Sequence, residues 1–264
     1  MENVSKENLL IIGVIGGVGP CAGLDFLRKI FDNTKAERDQ DHLNCMLVSC
    51  SSIIPDRTGF LLQNESEAGE NPAIGMFESA RRLHMAGVRY AVVACNTAHA
   101  DRIFTPFCGM VKERLPGLSI INMLETCAAY VKESLPKIKR LGLLATVGTH
   151  KTRVYHEYFR EQDGFQLIEP DAAGQDRVHS AIYSEAFGIK AHSGVMPQAR
   201  EIISDEIKRL VEKGAEAIIL GCTELPLAVQ QKDSTVPVID PGLVAARKLI
   251  SLAAPEKLLL ILKD

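Results

Sequence analysis

No Cys-x-x-Cys pair occurs anywhere in the chain, although it holds seven cysteines in 264 residues. An odd count at wide spacing does not resemble the disulfide framework of a small secreted domain, so free thiols in a reducing compartment are expected. Long hydrophobic runs are missing as well. The apolar stretch nearest the start, residues 9–19, is too short to cross a bilayer and is interrupted by four glycines. A basic leader is also absent: Glu2 and Glu7 precede that stretch against a lone Lys6, which does not resemble a secretory signal. Nor is charge of one sign concentrated. The 30 Lys and Arg balance 33 Asp and Glu to a net charge of −3 and lie scattered, without the basic footprint that a nucleic-acid backbone requires. The expectation is a soluble, cytoplasmic protein with a small neutral or anionic ligand, no nucleic-acid partner and no membrane.

Apolar residues make up 46% of the chain, enough for one large core or for two domains of roughly 100–150 residues each. Short apolar runs alternate with helical stretches, the pattern of parallel sheets covered by helices, so the fold class is α/β. Strands are expected at residues 9–15, 46–49, 90–94, 140–145, 217–220 and 236–239. Pro20 suits a first helical turn, and Gly87 and Gly214 stand where left-handed C-terminal caps are needed.

The chain then repeats itself at long period. The turn around Gly13, Gly16, Gly17 and Gly19 has a later counterpart around Gly142 and Gly148, and Gly13 and Gly142 lie 129 positions apart. Leu83, Gly87, Val92, Val93 and Cys95 match Leu210, Gly214, Ile219, Leu220 and Cys222, each pair offset by 127. Both halves close with a β-branched run entering a helix, Ile120-Ile121-Asn122 and Val238-Ile239-Asp240. Two similar, pseudo-symmetric lobes are expected, residues 1–122 with 238–264 and residues 123–237. Strand ends would face a cleft between them, where such sheets bind ligands.

Cys95 and Cys222 both follow a strand at equivalent places, so they would approach a bound molecule from opposite sides. Inverting a stereocentre needs that arrangement: one group removes a proton from one face and another returns a proton to the opposite face. A thiol with an ordinary pKa of about 8.5 serves in either form near neutral pH. Each cysteine precedes an expected helix N-terminus, whose free N–H groups favour a thiolate and a bound carboxylate. Asn96, Thr97 and Thr223 add short donors.

At these residues the sequence resembles the aspartate/glutamate racemase superfamily. The resemblance covers nearly the whole chain and rests on the glycines after the first strand, Pro55-Asp56-Arg57-Thr58, Cys95-Asn96-Thr97-Ala98-His99, Leu144-Ala145-Thr146-Val147-Gly148-Thr149 and Gly221-Cys222-Thr223-Glu224-Leu225-Pro226. The Glu224-Leu225-Pro226 ending and His99 resemble the aspartate racemase and broad-specificity branch, whereas dedicated glutamate racemases usually carry histidine after Gly-Cys-Thr. The resemblance implies two α/β lobes with the site between them, no metal, no cofactor, a small amino-acid substrate such as aspartate or glutamate, and a homodimer. It makes Cys95 and Cys222 the acid and base. Arg57 and Lys190 become two cations flanking a dicarboxylate, with Arg57 suited to a bidentate contact. Thr146 and Thr149 donate hydroxyls either to substrate or to their own turn. Glu224 orients a donor beside Cys222 or favours the first turn of the next helix. His99 has the same two readings beside Cys95.

Rival readings stay open. Gly17-Val18-Gly19-Pro20-Cys21-Ala22, with Asp39 or Asp41 some twenty residues on, fits a loose dinucleotide fingerprint and an NAD-dependent dehydrogenase. Hydantoin racemases, maleate isomerases and arylmalonate decarboxylases resemble the same superfamily, and a two-lobed binding module without chemistry has the same outline. His42, Cys45 and Cys50 gather soft ligands at a spacing that fits no standard zinc pattern. Cys21, Cys45, Cys50, Cys108 and Cys127 read as filler.

Overall fold

A computed structural model of the chain describes residues 10–260 except 65, 66, 68 and 193. Strands β1 (Ile11–Gly16), β2 (Asn44–Ser49), β3 (Val88–Val93) and β4 (Ser119–Ile121) form one sheet. Strands β5 (Arg140–Ala145), β6 (Gln166–Ile168), β7 (Ala217–Gly221) and β8 (Val238–Ile239) form a second. The spatial orders, β2-β1-β3-β4 and β6-β5-β7-β8, are the same, and every pairing within the sheets is parallel. The repeat seen in the sequence is therefore a repeat of topology. Parallel strands need crossovers, and helices supply them. They are α1 (Pro20–Asp32), α2 (Arg57–Leu62), α3 (Pro72–Met85), α4 (Asp101–Arg114), α5 (Met123–Ser134), α6 (Val147–Thr152), α7 (Ala172–Tyr183), α8 (Pro197–Glu212), α9 (Leu225–Ala228) and α10 (Pro241–Ala253).

Alternation along each central strand divides the core. Val92 and Ala94 on one side, with Ile219, Leu141 and Leu143 from the other sheet, enter a core shared by both lobes and sealed by α5 and α10. Ala91, Val93 and Cys95 point the other way, toward α3 and α4, and Ile218, Leu220 and Cys222 toward α7 and α8. Strands buried on both faces carry continuous apolar runs, which explains why the period of two is hard to see in the sequence.

Gly13 and Gly142 owe their equivalence to sterics. A Cβ on Gly13 would lie 2.8 Å from Val88 and 2.9 Å from Leu83, and one on Gly142 would lie 3.1 Å from Ala215 and 3.3 Å from Leu210. These are the partners related by the 127-residue offset. In each lobe a helix C-terminus and its following strand press on the bare backbone of the first strand. Gly87 and Gly214 adopt φ of 85° and 94°, as the C-cap reading requires, and Pro20 begins α1. Asn122 and Asp240 cap α5 and α10 at equivalent positions by accepting from backbone N–H groups of the first turn.

Differences from expectation lie at the edges. Strands β4 and β6 are three-residue edge strands, too short to leave a periodic signature. Residue 9 lies outside the described residues, and β8 begins at Val238, after Pro237, which lacks the donor a ladder needs. Residues 238–239, expected with the first lobe, pair with β7 in the second sheet. The helix after them, α10, packs on α1 and α5 and against β1 and β3. Among the described residues no helix is long and apolar enough to cross a membrane.

Gly142→Val should lower stability by about 1–3 kcal/mol through overpacking against Ile218, Ala215 and Leu210. Gly109→Ala, within α4 and with open space around its Cβ position, should be neutral or raise stability by up to about 1 kcal/mol. Thermal melts of the two variants should therefore move in opposite directions or, for Gly109→Ala, not at all.

Candidate active site

The carboxyl ends of β3 and β7 meet. Cys95 stands two residues after the end of β3 and Cys222 one residue after β7, with relative exposures of 7% and 5%. The Thr223 hydroxyl donates to the Ala94 carbonyl at 3.1 Å, so the residue after one cysteine is bonded to the residue before the other. The Tyr155 hydroxyl donates to Asn96 Oδ1 at 2.6 Å. Thr97 Oγ1 lies 2.9 Å from Thr149 Oγ1 and 3.2 Å from Thr146 Oγ1, which are themselves 3.2 Å apart. Each of these bonds joins the lobes or braces a bond that does. Buried hydroxyls with partners contribute about 1 kcal/mol each and cost more when orphaned.

His99 is bonded on both ring nitrogens. Nδ1 lies 2.8 Å from the Cys95 carbonyl, and the Met123 backbone N–H donates to Nε2 at 3.2 Å. Nε2 must present its lone pair, so the proton sits on Nδ1 and the ring is neutral. Burial pushes its pKa down to about 4, against weaker support from the Cys95 and Asn96 backbone. His99 thus fixes the backbone of Cys95 to the start of α5 as an uncharged strut.

A cavity of about 320 Å³ opens beside these strand ends, lined among others by Gly19, Cys21, Asp56, Arg57, Lys190 and Glu224. Arg57 is the first residue of α2. Its Nη2 donates to the Val18 carbonyl at 2.6 Å and Nη1 to the Pro55 carbonyl at 3.2 Å, while Nε has no partner among the described residues. Burial opposes its charge, but Cys95, Tyr183 and Asp56 favour it and hold the guanidinium ionised. Lys190 Nζ donates to Glu224 Oε1 at 2.5 Å. Burial opposes the ammonium too, yet Glu224, Cys222, Tyr183 and Cys95 together raise its pKa. The Cys222 Sγ–H donates to Glu224 Oε2 at 3.0 Å. Burial, then the Glu224 charge, pushes the Cys222 thiol well up, with Lys190 opposing.

All ten residues singled out in the sequence lie at this junction, but in two layers. Arg57, Lys190 and Glu224 line the cavity, whereas Cys95 and Cys222 are buried and outside its lining, and Asn96, Thr97, Thr146, Thr149 and Thr223 are buried and bonded across the lobes. Thr146 also caps its own turn, accepting from Thr149 N. Lys190 is paired rather than free. The expected helix N-termini after the cysteines are a three-residue turn, Thr97–His99, and the four-residue α9, too short for a macrodipole argument. Sequence reasoning missed Tyr155, which holds Asn96, and Tyr183, whose hydroxyl donates to Asp56 at 3.2 Å. Single tyrosines carry no periodic signal. Cys21, read as filler, is exposed and lines the cavity.

The glycine turn is occupied by protein. Gly17 has φ of 73° with the Cys50 backbone 2.6 Å from its Cβ position, and the bare face of Gly19 is covered by Glu224 and Lys190. That is a reason for glycine without a dinucleotide. Cys45 and Cys50 take separate partners, the Leu43 carbonyl and Arg82, while His42 packs edge-on to Phe31.

Comparison with known proteins bears on this geometry. A family model described as Asp/Glu/Hydantoin racemase matches residues 15–249. The solved structure of Picrophilus torridus aspartate racemase superposes with a TM-score of 0.76 at 29% identity, covering 95% of this chain and 96% of that one. The broad specificity amino-acid racemase RacX of Bacillus subtilis (strain 168) is 22% identical over 245 residues, 91% of this chain and 97% of its own length. Glutamate racemase of Deinococcus radiodurans is 29% identical over 168 residues, 61% of this chain and 52% of that protein.

The depressed pKa of His99 has a measurable consequence. Unfolding frees the ring to an ordinary value near 6.5, so below that pH the unfolded state binds the extra proton and the native state does not. Stability should be fully present above pH 6.5 and fall as pH drops toward 4, by on the order of 3 kcal/mol from this residue. Denaturant melts across that range should show the slope in the wild type and a flatter profile in His99→Gln.

Proposed function

The chain belongs to the Asp/Glu/hydantoin racemase family, and we propose that within it the protein inverts the α-carbon of a small amino acid, aspartate or glutamate, with Cys95 and Cys222 as the two bases. It is an isomerase of the racemase class, as its relatives are named. The observation that carries the two-base reading is the Thr223 to Ala94 hydrogen bond, which draws the strand ends bearing the two cysteines together.

In the reaction so read, one cysteine enters as thiolate and the other as thiol. The Cα–H bond breaks as an S–H bond forms at the thiolate, and the electron pair spreads into the substrate carboxylate. The opposite thiol then gives its proton to the other face of Cα and leaves as thiolate, so the roles are exchanged and the stereocentre inverted. Charge builds on the carboxylate as the carbanion forms, where a fixed cation lowers the barrier. Arg57 is that cation: it lines the cavity, and its guanidinium is already held in place by the Val18 and Pro55 carbonyls. A thiol pair holding one proton supplies the base and the acid together, each with an ordinary pKa not far from the working pH. Removal of bulk water from a site with cysteines only 5–7% exposed strengthens each of these interactions. The assembly that accompanies this reading is a homodimer in the cytoplasm.

Incubation with each L- and D-amino acid in deuterated water, followed by mass spectrometry, tests chemistry and substrate together. Cys95→Ala and Cys222→Ala should each abolish racemisation, while one of them still exchanges the α-hydrogen of a single enantiomer. Racemisation surviving in either variant removes the two-base scheme. Arg57→Ala should raise KM for aspartate about tenfold or more, as loss of a charge-assisted contact does. Unchanged constants in a normally folded variant would take Arg57 out of the site.

A further inference from the structure

We infer that Glu224 is a positioning residue for the proton on Cys222, holding that sulfur as the thiol partner of the pair, and is not itself a ligand of the substrate. The inference rests on the two-thiol reading and adds to it which sulfur carries the proton before substrate binds. Both carboxylate oxygens are occupied. Oε1 accepts from Lys190 Nζ at 2.5 Å and Oε2 from Cys222 Sγ–H at 3.0 Å, while the Thr223 hydroxyl, whose proton goes to the Ala94 carbonyl, lies 3.4 Å from Oε2. The residue is 2% exposed, and the bare backbone of Gly19 presses on the carboxylate from the other side. A carboxylate so fixed has little freedom to turn toward a bound molecule.

The contact has a direction. A carboxylate accepts from a thiol but repels a thiolate, so of the two singly protonated forms it favours the one with the proton on Cys222 and the charge on Cys95. Lys190 favours the reverse, and its pairing with Glu224 sets the balance. The charged and titratable groups facing Cys222 are Glu224, Lys190 from the loop after α7, Tyr183 at the end of α7, and Tyr155. Tyr155 is buried and Tyr183 half-buried, both with pKa values raised above the ordinary one, so they stay neutral and leave the carboxylate and ammonium as the opposing charges. Burial of the sulfur adds to the preference for thiol.

Because the equilibrium constant of a racemisation is one, kcat/KM is equal in the two directions at every pH, whatever the variant. The preference therefore shows in the position of the basic limb of the pH profile, where the last thiol proton is lost, and not in a directional ratio. Glu224→Gln removes the repelling charge and leaves Lys190 unpaired beside the sulfur, so the limb should move to lower pH by about one unit or more. Lys190→Gln leaves the carboxylate unopposed and should move it upward. Glu224→Asp should bring the limb back toward the wild-type position.

Thiolate absorbance in the ultraviolet, measured against pH for each variant and for the same variant carrying Cys222→Ser, gives the Cys222 titration without any turnover. The expected result is a pair of shifts of opposite sign in both readouts, with thermal melts confirming folded protein. Lys190 is the more exposed partner, so its variant keeps the test alive should Glu224→Gln fold poorly. The inference is overturned if Glu224→Gln lowers the rate or raises KM uniformly while limb and titration stay in place, since that marks a substrate contact or simple packing. Racemisation retained by Cys222→Ala would remove the two-base reading instead, and the absorbance titration would still decide the contact by itself.

Discussion

Two sheets that bind at their carboxyl ends make one site only if those ends are held against each other. Here the holding is done by neutral hydroxyls. Thr223 reaches Ala94, Thr97 reaches Thr146 and Thr149, and Tyr155 reaches Asn96. In a network of this kind each hydroxyl has a partner, where an orphaned one would be costly; Asn96 Nδ2 is the member atom left without a partner among the described residues. The network also leaves the charged groups for other work. Arg57, Lys190 and Glu224 lie at the cavity wall, and the neutral His99 ties Cys95 to the start of α5 without adding a charge.

The charged groups form an economical set. A buried ion pair such as Lys190 with Glu224 gains little net stability, because desolvation offsets most of the attraction. Its use here is local. It brings a fixed negative charge to one thiol, while Arg57 brings a fixed positive charge to the vicinity of the other. Pseudo-symmetry of backbone is thus combined with asymmetry of charge, and two sulfurs in equivalent positions are made chemically distinct.

Much of this was readable in the residues. The 127-residue offset anticipates the matching sheets because the same glycines and the same helix-to-strand contacts recur, and steric demands leave a direct mark on sequence. The cysteines were found because they sit at equivalent places in that repeat. Other features left weaker traces. Edge strands β4 and β6 are too short for a period, and the ion pair of Lys190 with Glu224 spans 34 positions. Tyr155 reaches Asn96 across 59 positions. Such contacts follow from tertiary approach and have no local pattern to announce them. The helix dipoles expected behind the cysteines were replaced by short turns, since chain following each strand end is spent on reaching the opposite lobe.

Helix α10 follows a strand of the second sheet and lies down on the first, against α1, β1 and β3. The lobes are therefore interlaced, not merely apposed. A half-length chain made from either repeat would be missing the cover for one sheet face. Two identical halves would complete each other only by exchanging their last helices, as domain-swapped partners do. Joining both copies in one polypeptide makes that exchange intramolecular and frees the two halves to diverge, so that an originally symmetric crevice is able to acquire a handedness of its own.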